Sequence, residues 1–175
     1  YFGGGRTSPY HSTVDRVDYS SDTPTASPKG PLTGNRAFFA ATGNNSYGYW
    51  GGGFVPGSSS YVDRVDYASD TPTASPKGPL SGNKSGSAAA GTNDFGYFAG
   101  GWSPGPSGPY QYKLTTIDRI DYSNDTATAV EKGPLSSGRY YVSGAGNASY
   151  GYFAGGYTGS ATVSTMDRLD YSSDT

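Results

Sequence analysis

The stretch Val14-Asp15-Arg16-Val17-Asp18-Tyr19-Ser20-Ser21-Asp22-Thr23-Pro24-Thr25-Ala26-Ser27-Pro28-Lys29-Gly30-Pro31-Leu32 decides the fold, because the chain keeps returning to it. It recurs at 62–80 and 117–135, and from Met166 as far as Thr175. Each copy lies downstream of a glycine doublet, at Gly4-Gly5, Gly52-Gly53, Gly100-Gly101 or Gly155-Gly156. From the first Asp of a copy to the glycine of its Gly-Pro-Leu is 15 residues in all three complete copies, and from that glycine to the next doublet is 22. From doublet to Asp the distances are 11, 11, 18 and 12, so the length variation sits in one segment. A period of roughly 50 residues with two invariant spacings is the mark of an array of supersecondary units.

Each repeat reads as four short strands, here A to D. Strand A is Ala37 to Thr42, Ser85 to Gly91 and Tyr140 to Ala145, whose Ala, Gly and Ser residues suit a crowded position. Asn44-Asn45-Ser46, Thr92-Asn93-Asp94 and Asn147-Ala148-Ser149 supply hairpin turns. Strand B is Tyr47 to Trp50, Phe95 to Phe98 and Tyr150 to Phe153, where aromatics alternate with glycine and the doublet follows. Strand C begins at Val14, Val62, Ile117 and Met166, four apolar residues expected to be buried equivalently. Strand D, about Thr23 to Ser27, carries Pro24 and, in the next copy, Pro72, which places it on an edge.

Composition agrees with an all-β chain. Among 175 residues there are 28 Gly and 12 Pro, 15% are aromatic and Met occurs once, which leaves little for helical cores. Aromatic residues held in register at fixed spacing separate the chain from a disordered linker of similar Gly and Pro content. A net charge of −2 without a basic stripe argues against phosphate-tracking nucleic-acid binding. No apolar run approaches the roughly 20 residues of a spanning helix, and nothing resembles a cleavable signal. The absence of Cys removes disulfides, thiolate metal sites and Cys nucleophiles.

With Val-Asp-Arg-Val-Asp-Tyr-Ser-Ser-Asp-Thr, Gly-Pro-Leu, a basic residue at Arg36, Lys84 or Arg139, a small-residue strand and a Gly doublet in fixed order, the whole chain resembles the kelch repeat of β-propellers. It departs from the kelch pattern where a Trp usually follows the third strand and Pro24, Pro72 or Ala127 stands instead, which implies different outer packing. The near-identity of the repeats, with DTPTASPKGPL occurring verbatim twice, also resembles kelch-like arrays in virion structural and tail-fibre proteins of marine tailed phages. The resemblance implies four-stranded blades divided as 1–30, 31–78, 79–133 and 134–175, the first and last partial. It implies a non-enzymatic structural and binding module in a virion or extracellular location, with partners among other blades or subunits and host glycan or surface protein. The alternatives are a subunit of a secreted or surface filament and, as the lesser one, a glycan-active enzyme on a propeller scaffold. The terminal residues read as cuts within repeats of a longer polypeptide, and closure at 6 or 7 blades would need roughly 300 to 350 residues.

Candidate chemistry is sparse. Asp15, Asp18 and Asp22 with their counterparts could offer oxygens to Ca²⁺, but the spacing is not that of a calcium loop and Arg16, Arg64, Arg119 and Arg168 sit inside the clusters. The competing reading is structural: Asp15, Asp63, Asp118 and Asp167 and these arginines pair between adjacent units, and the last Asp of each run caps a turn. A triplet recurring in every repeat argues for scaffold, since a catalytic site is needed once; no metal, cofactor or catalytic residue is assigned. Glu131 and His11 stand alone, His11 reading as a loop residue. The Asp runs lack the Gly and Trp of a sialidase Asp-box. The doublets lack the helix and Lys-Ser/Thr of a phosphate loop and fit close approach of backbones instead. Asn44, Asn83, Asn124 and Asn147 begin Asn-x-Ser/Thr triplets, which matter only in a glycosylating host. The functional candidate is the lengthened segment 102–112, in which Trp102, Tyr110, Gln111 and Tyr112 offer aromatic faces with polar tips for sugar or protein contact. It competes with a Pro-stiffened spacer.

Overall fold

A computed structural model describes residues 1–21, 25–105 and 108–175, with backbone alone at 105 and 108–111. The fold is all-β, and its described helical content is one 3₁₀ turn at Tyr122–Asn124. Four antiparallel sheets follow one another. The first orders β1 (Phe2–Arg6), β2 (Tyr10–Arg16) and β3 (Ser27–Lys29), and the second β4 (Ala40–Gly43), β5 (Tyr47–Gly51), β6 (Val62–Asp66) and β7 (Ser75–Lys77). The third orders β8 (Ala88–Gly91), β9 (Phe95–Ala99), β12 (Ile117–Asp121) and β13 (Val130–Lys132), and the fourth β14 (Ser143–Gly146), β15 (Tyr150–Ala154) and β16 (Met166–Asp170). Between β9 and β12 the segment expected to be an extended loop folds back as a hairpin of β10 (Trp102–Gly105) and β11 (Gly108–Lys113).

The chain meanders through each unit and crosses from the last strand of one to the first of the next. The small-residue strands β4, β8 and β14 lie side by side. A Cβ on Gly91 would sit 2.8 Å from Thr42 Oγ1 of the preceding unit, so the expected crowding is real. The hairpin turns form as their residues dictate: Asn44 Oδ1 accepts from the amides of Ser46 and Tyr47, Thr92 Oγ1 from Asp94 and Phe95, and Asn147 Oδ1 from Ser149 and Tyr150.

The fourth strands start later than the sequence indicates. Pro72 lies in the preceding turn, and Pro24 and Asp22 fall outside the described residues. Ser27–Lys29, Ser75–Lys77 and Val130–Lys132 form the strands, putting Pro28 and Pro76 on an outer edge, where a missing N–H costs no ladder bond. His11, expected in a loop, belongs to β2 and is register partner to Gly5.

Cross-strand partners share a face, so each sheet has two sides of different composition. In the second unit Tyr49, Arg64 and Val62 point one way and Trp50, Asp63 and Val65 the other. Three hydrophobic clusters fill the spaces between consecutive units. Val14 meets Trp50 and Val65; Val62 meets Phe98 and Ile120; Ile117 meets Phe153 and Leu169. Leu32, Leu80 and Leu135 of the Gly-Pro-Leu turns complete them. The core is therefore three inter-unit layers. Met166 departs from expectation: Val14, Val62 and Ile117 are 0%, 1% and 3% exposed, whereas Met166 is 63% exposed. It occupies the same register position but faces the side of the fourth unit on which no further unit of this chain packs.

Candidate functional site

The Asp and Arg residues form two kinds of repeated contact. In the first, the leading Asp of the second, third and fourth runs meets the basic residue of the connector entering its own unit, with Asp63 and Asp118 buried and Asp167 half-buried. Arg36 lies 2.9 Å from Asp63, Lys84 3.0 Å from Asp118, and Arg139 2.6 Å from Asp167. Thr33, Ser81 and Ser136 donate backbone amides to the same carboxylates. Burial pulls the pKa of Arg36 and Lys84 down, partly offset by the facing aspartate. Asp15 makes no ion pair among the described residues.

The second contact clamps one unit to the next. Asp125 accepts from Tyr49 Oη at 2.9 Å and Arg64 at 2.8 Å and faces Lys77 Nζ at 3.2 Å, all from the preceding unit. Asp70 does the same for Tyr1, Arg16 and Lys29, and Asp174 for Tyr97, Arg119 and Lys132. The carbonyls of these aspartates accept from Gly30, Gly78 and Gly133, which binds each Gly-Pro-Leu turn into the clamp. A stacked tyrosine pair accompanies each, Tyr1 with Tyr67, Tyr49 with Tyr122 and Tyr97 with Tyr171, at centroid distances of 4.6, 4.5 and 4.9 Å. Burial pushes the Asp70 and Asp174 carboxyls up, but the tyrosine and lysine hydrogen bonds and nearby cations outweigh it and hold both below the usual range. Burial raises the pKa of Tyr49 and Tyr97.

Pairing between units is thus as expected for Arg16, Arg64 and Arg119, but the roles of the aspartates are exchanged. The last Asp of the run is the clamp, not the turn cap. The cap is the middle one: Asp18, Asp66, Asp121 and Asp170 each accept an amide two residues on. The geometry explains this, since only the last Asp, beyond the strand end, reaches across to the neighbouring unit. The clamps thus engage Asp70, Asp125 and Asp174, while Asp63, Asp118 and Asp167 pair with the connector cations and Asp18, Asp66, Asp121 and Asp170 cap turns.

The doublets close the same interfaces from the other end. Gly5, Gly53 and Gly101 donate to the carbonyls of Arg36, Lys84 and Arg139 of the following connector. Gly100 has φ +65°, and a Cβ there would lie 2.7 Å from Arg139 O. Only glycine combines that conformation with that approach.

At this end of the units the residues after the doublets form an aromatic array. Phe54, Trp102 and Tyr157 bridge to Ala37, Ser85 and Tyr140 of the connectors. Phe54 sits between Tyr10 at 5.9 Å and Trp102 at 5.6 Å. A second group joins Phe38 to Tyr141 at 5.9 Å, Tyr141 to Tyr140 at 4.8 Å, and Tyr140 to Tyr157 at 5.5 Å. Phe38 and Tyr141 hold left-handed backbone at φ +58° and +55°, where their counterpart in the third unit is Gly86. Such conformations cost about 1–3 kcal/mol for a bulky residue. They are held by bonds between units, Gly86 N–H to Phe38 O and Tyr141 N–H to Gly86 O. Of the residues singled out from sequence, Trp102 joins the array half-buried and Tyr112 is exposed; the side chains of Tyr110 and Gln111 lie outside the described residues. Sequence reasoning missed Phe54 and Tyr157, although alignment of the residues following the four doublets would have found them.

The opposite end carries the hairpin turns, which enclose an open concavity of about 580 Å³ lined by Asn44, Thr92, Asn93, Asp94 and Asn147 among others. Asp94 is its sole lining carboxylate.

No protein-family model matches the chain, and no curated protein does. Among solved structures it is similar to YjhT, with a TM-score of 0.76 and 20% identity over 92% of the chain. The chain spans 50% of that protein's length, and at this identity the likeness speaks to fold alone.

Proposed function

We propose that the chain is a run of kelch-like β-propeller blades serving as a non-enzymatic structural and binding module. Four antiparallel meanders placed in succession, with the small-residue strands innermost and proline-bearing strands outermost, support the propeller reading. The setting is a phage virion fibre or appendage, a reading that rests on the near-identity of the repeats. The target is a glycan or protein of the host surface. The observation that carries the binding role is the aromatic array that crosses the units at one end. Its backbone is held by bonds between units at Phe38, Gly86 and Tyr141 and by bridges within units at Phe54, Trp102 and Tyr157, so its rings meet a ligand with little further entropy to lose.

A glycan array read against three variants tests this. They are Trp102→Ala with Tyr112→Ala; replacement of 103–109 by a short Gly-Ser link; and Tyr141→Gly, which removes a ring and relieves backbone strain together. The expected result is a loss of binding of roughly 10-fold or more with cooperative unfolding retained. Binding equal to the parent in all three removes the array from consideration.

A further inference from the structure

The three connector ion pairs are alike in placement and unlike in chemistry. Arg36 and Arg139 present guanidinium groups to Asp63 and Asp167, whereas the third unit sets an amine, Lys84 Nζ, against Asp118. A guanidinium stays protonated and is no nucleophile; a lysine amine becomes one when it is desolvated. The third unit differs at a second position as well. Asp15 and Asp63 have Pro28 and Pro76 as register partners on the outer strand, but Asp118 has Glu131, the chain's single glutamate. The lysine and the glutamate therefore enter the same site together.

The two groups that would react are dry and held in place. Lys84 and Asp118 are 1% and 0% exposed, and Nζ lies 3.0 Å from Oδ2. The Lys84 backbone is fixed on both sides, its amide donating to Ser59 O and its carbonyl accepting from Gly53 N–H. Nζ also donates to Thr116 Oγ1 at 3.2 Å. Desolvation pulls the Lys84 pKa down against the opposing pull of Asp118, which favours passing a proton to the carboxylate. On the far side of Asp118, Ser81 Oγ lies 2.7 Å from Oδ1 and 3.0 Å from Glu131 Oε1. One hydroxyl hydrogen serves only one of these oxygens, so both contacts are hydrogen bonds only when a carboxyl carries a proton. Ser81 and Glu131 are exposed and so join the buried carboxylate to solvent.

We propose that Lys84 and Asp118 condense to an intramolecular isopeptide bond, with Ser81 and Glu131 relaying the proton. A proton passes from the Lys84 ammonium to the Asp118 carboxylate, and the neutral amine attacks Cγ. Ser81 Oγ, with Glu131 behind it, supplies and takes back the proton at Oδ1 as the tetrahedral carbon collapses. The N–C bond forms, one C–O bond breaks, and a water leaves with two of the ammonium hydrogens; no oxidant or further reactant is consumed. Partners fixed in this way act at an effective molarity of about 10⁵–10⁸ M, which offsets the mass action of bulk water against amide formation. The bond closes a loop from 84 to 118 that contains β8, β9 and the β10–β11 hairpin, and so locks the unit that carries the insertion. It stands whether or not the aromatic array binds glycan.

Intact mass spectrometry of the full chain, folded at neutral pH and then denatured, tests the bond. The parent is expected to be lighter than its sequence mass by one water, and tandem spectra of a digest should join the peptide holding Lys84 to the peptide holding Asp118. Lys84→Arg reproduces the pairs of Arg36 and Arg139, so it folds, which a cooperative melt verifies, and it should keep its full sequence mass. Glu131 is a positioning residue for the proton. Sampled over time after cell-free synthesis, Glu131→Gln should form the bond roughly 10-fold or more slowly than the parent, with a flattened pH profile. A folded parent at full sequence mass overturns the proposal. So does a loss of water that persists in Lys84→Arg or maps to other residues, since that is dehydration elsewhere. Glu131→Gln reacting at the parental rate with the parental pH profile overturns the relay.

Discussion

Replacing Asp125 by Ala removes the centre of the clamp between the second and third units and leaves three donors facing one another. Tyr49 Oη, Arg64 and Lys77 lose an acceptor at 2.9, 2.8 and 3.2 Å. The side chains of Arg64 and Lys77 are 23% and 13% exposed, so water can reach them only in part. Arg64 Nε already lacks a partner, which leaves that guanidinium with little compensation. Breaking a buried pair by removing one member costs about 3–5 kcal/mol, and partial access of the cations to water lowers this to about 2–4 kcal/mol. The backbone bond from Gly78 to Asp125 O survives the substitution, so the turn itself stays in place. For a chain of this size the loss corresponds to a fall in Tm of roughly 5–15 °C. Denaturant and thermal unfolding of Asp125→Ala, with Asp66→Ala as the turn-cap control expected to cost about 1 kcal/mol or less, measure it. A double-mutant cycle with Tyr49→Phe should show coupling of at least about 0.5 kcal/mol. If Asp125→Ala melts within the error of Asp66→Ala and the cycle shows no coupling, the clamp does not hold the units together.

Gly100→Ala is expected to lose at least about 1–3 kcal/mol, from the left-handed backbone and the approach to Arg139 O, as read by denaturant midpoint; a neutral result would mean the connector moves aside freely. Stability should also depend on pH at both extremes. The folded-state pKa values of Asp70, Asp167 and Asp174 are depressed, so their contribution is full above the unfolded value of about 4 and is lost as pH falls through the folded values. Burial pushes Tyr171 up to about 12, so its contribution is full below the unfolded value of about 10 and is lost as pH rises toward 12. Melts across pH 2–12 should therefore show a plateau falling at both ends, and Asp174→Asn should flatten the acid limb.

The period, the turn chemistry and the second strands were legible because they are local: an Asn or Thr at the right place fixes its hairpin whatever lies beside it. The partners of the charged run were not. Asp63, Asp66 and Asp70 are equivalent in a one-dimensional reading, and only the stacking of units sends the first inward, the second to its own turn and the third across to Arg16. Met166 was misjudged for the same reason, since burial of that position depends on a neighbouring unit and not on its own sequence. The fourth strands slid toward Lys29, Lys77 and Lys132 because the preceding residues serve the turn; Ala74 and Ala129 give their amides to Pro31 and Pro79 of the preceding turns. At the candidate site, Trp102 and Tyr112 stood out through an insertion, whereas Phe54 and Tyr157 lay in segments of ordinary length and emerged only as equivalents in space.

The binding role is tested most directly by the fluorescence of Trp102 alone. Trp50, the other tryptophan, is buried between the first and second units, so Trp50→Phe leaves a single emitter in the aromatic array. Titrated with the oligosaccharide of highest glycan-array signal, this variant should show a saturable shift or quench whose Kd equals that from calorimetry. Heat of binding without any change in Trp102 emission would place the ligand elsewhere and contradict the account.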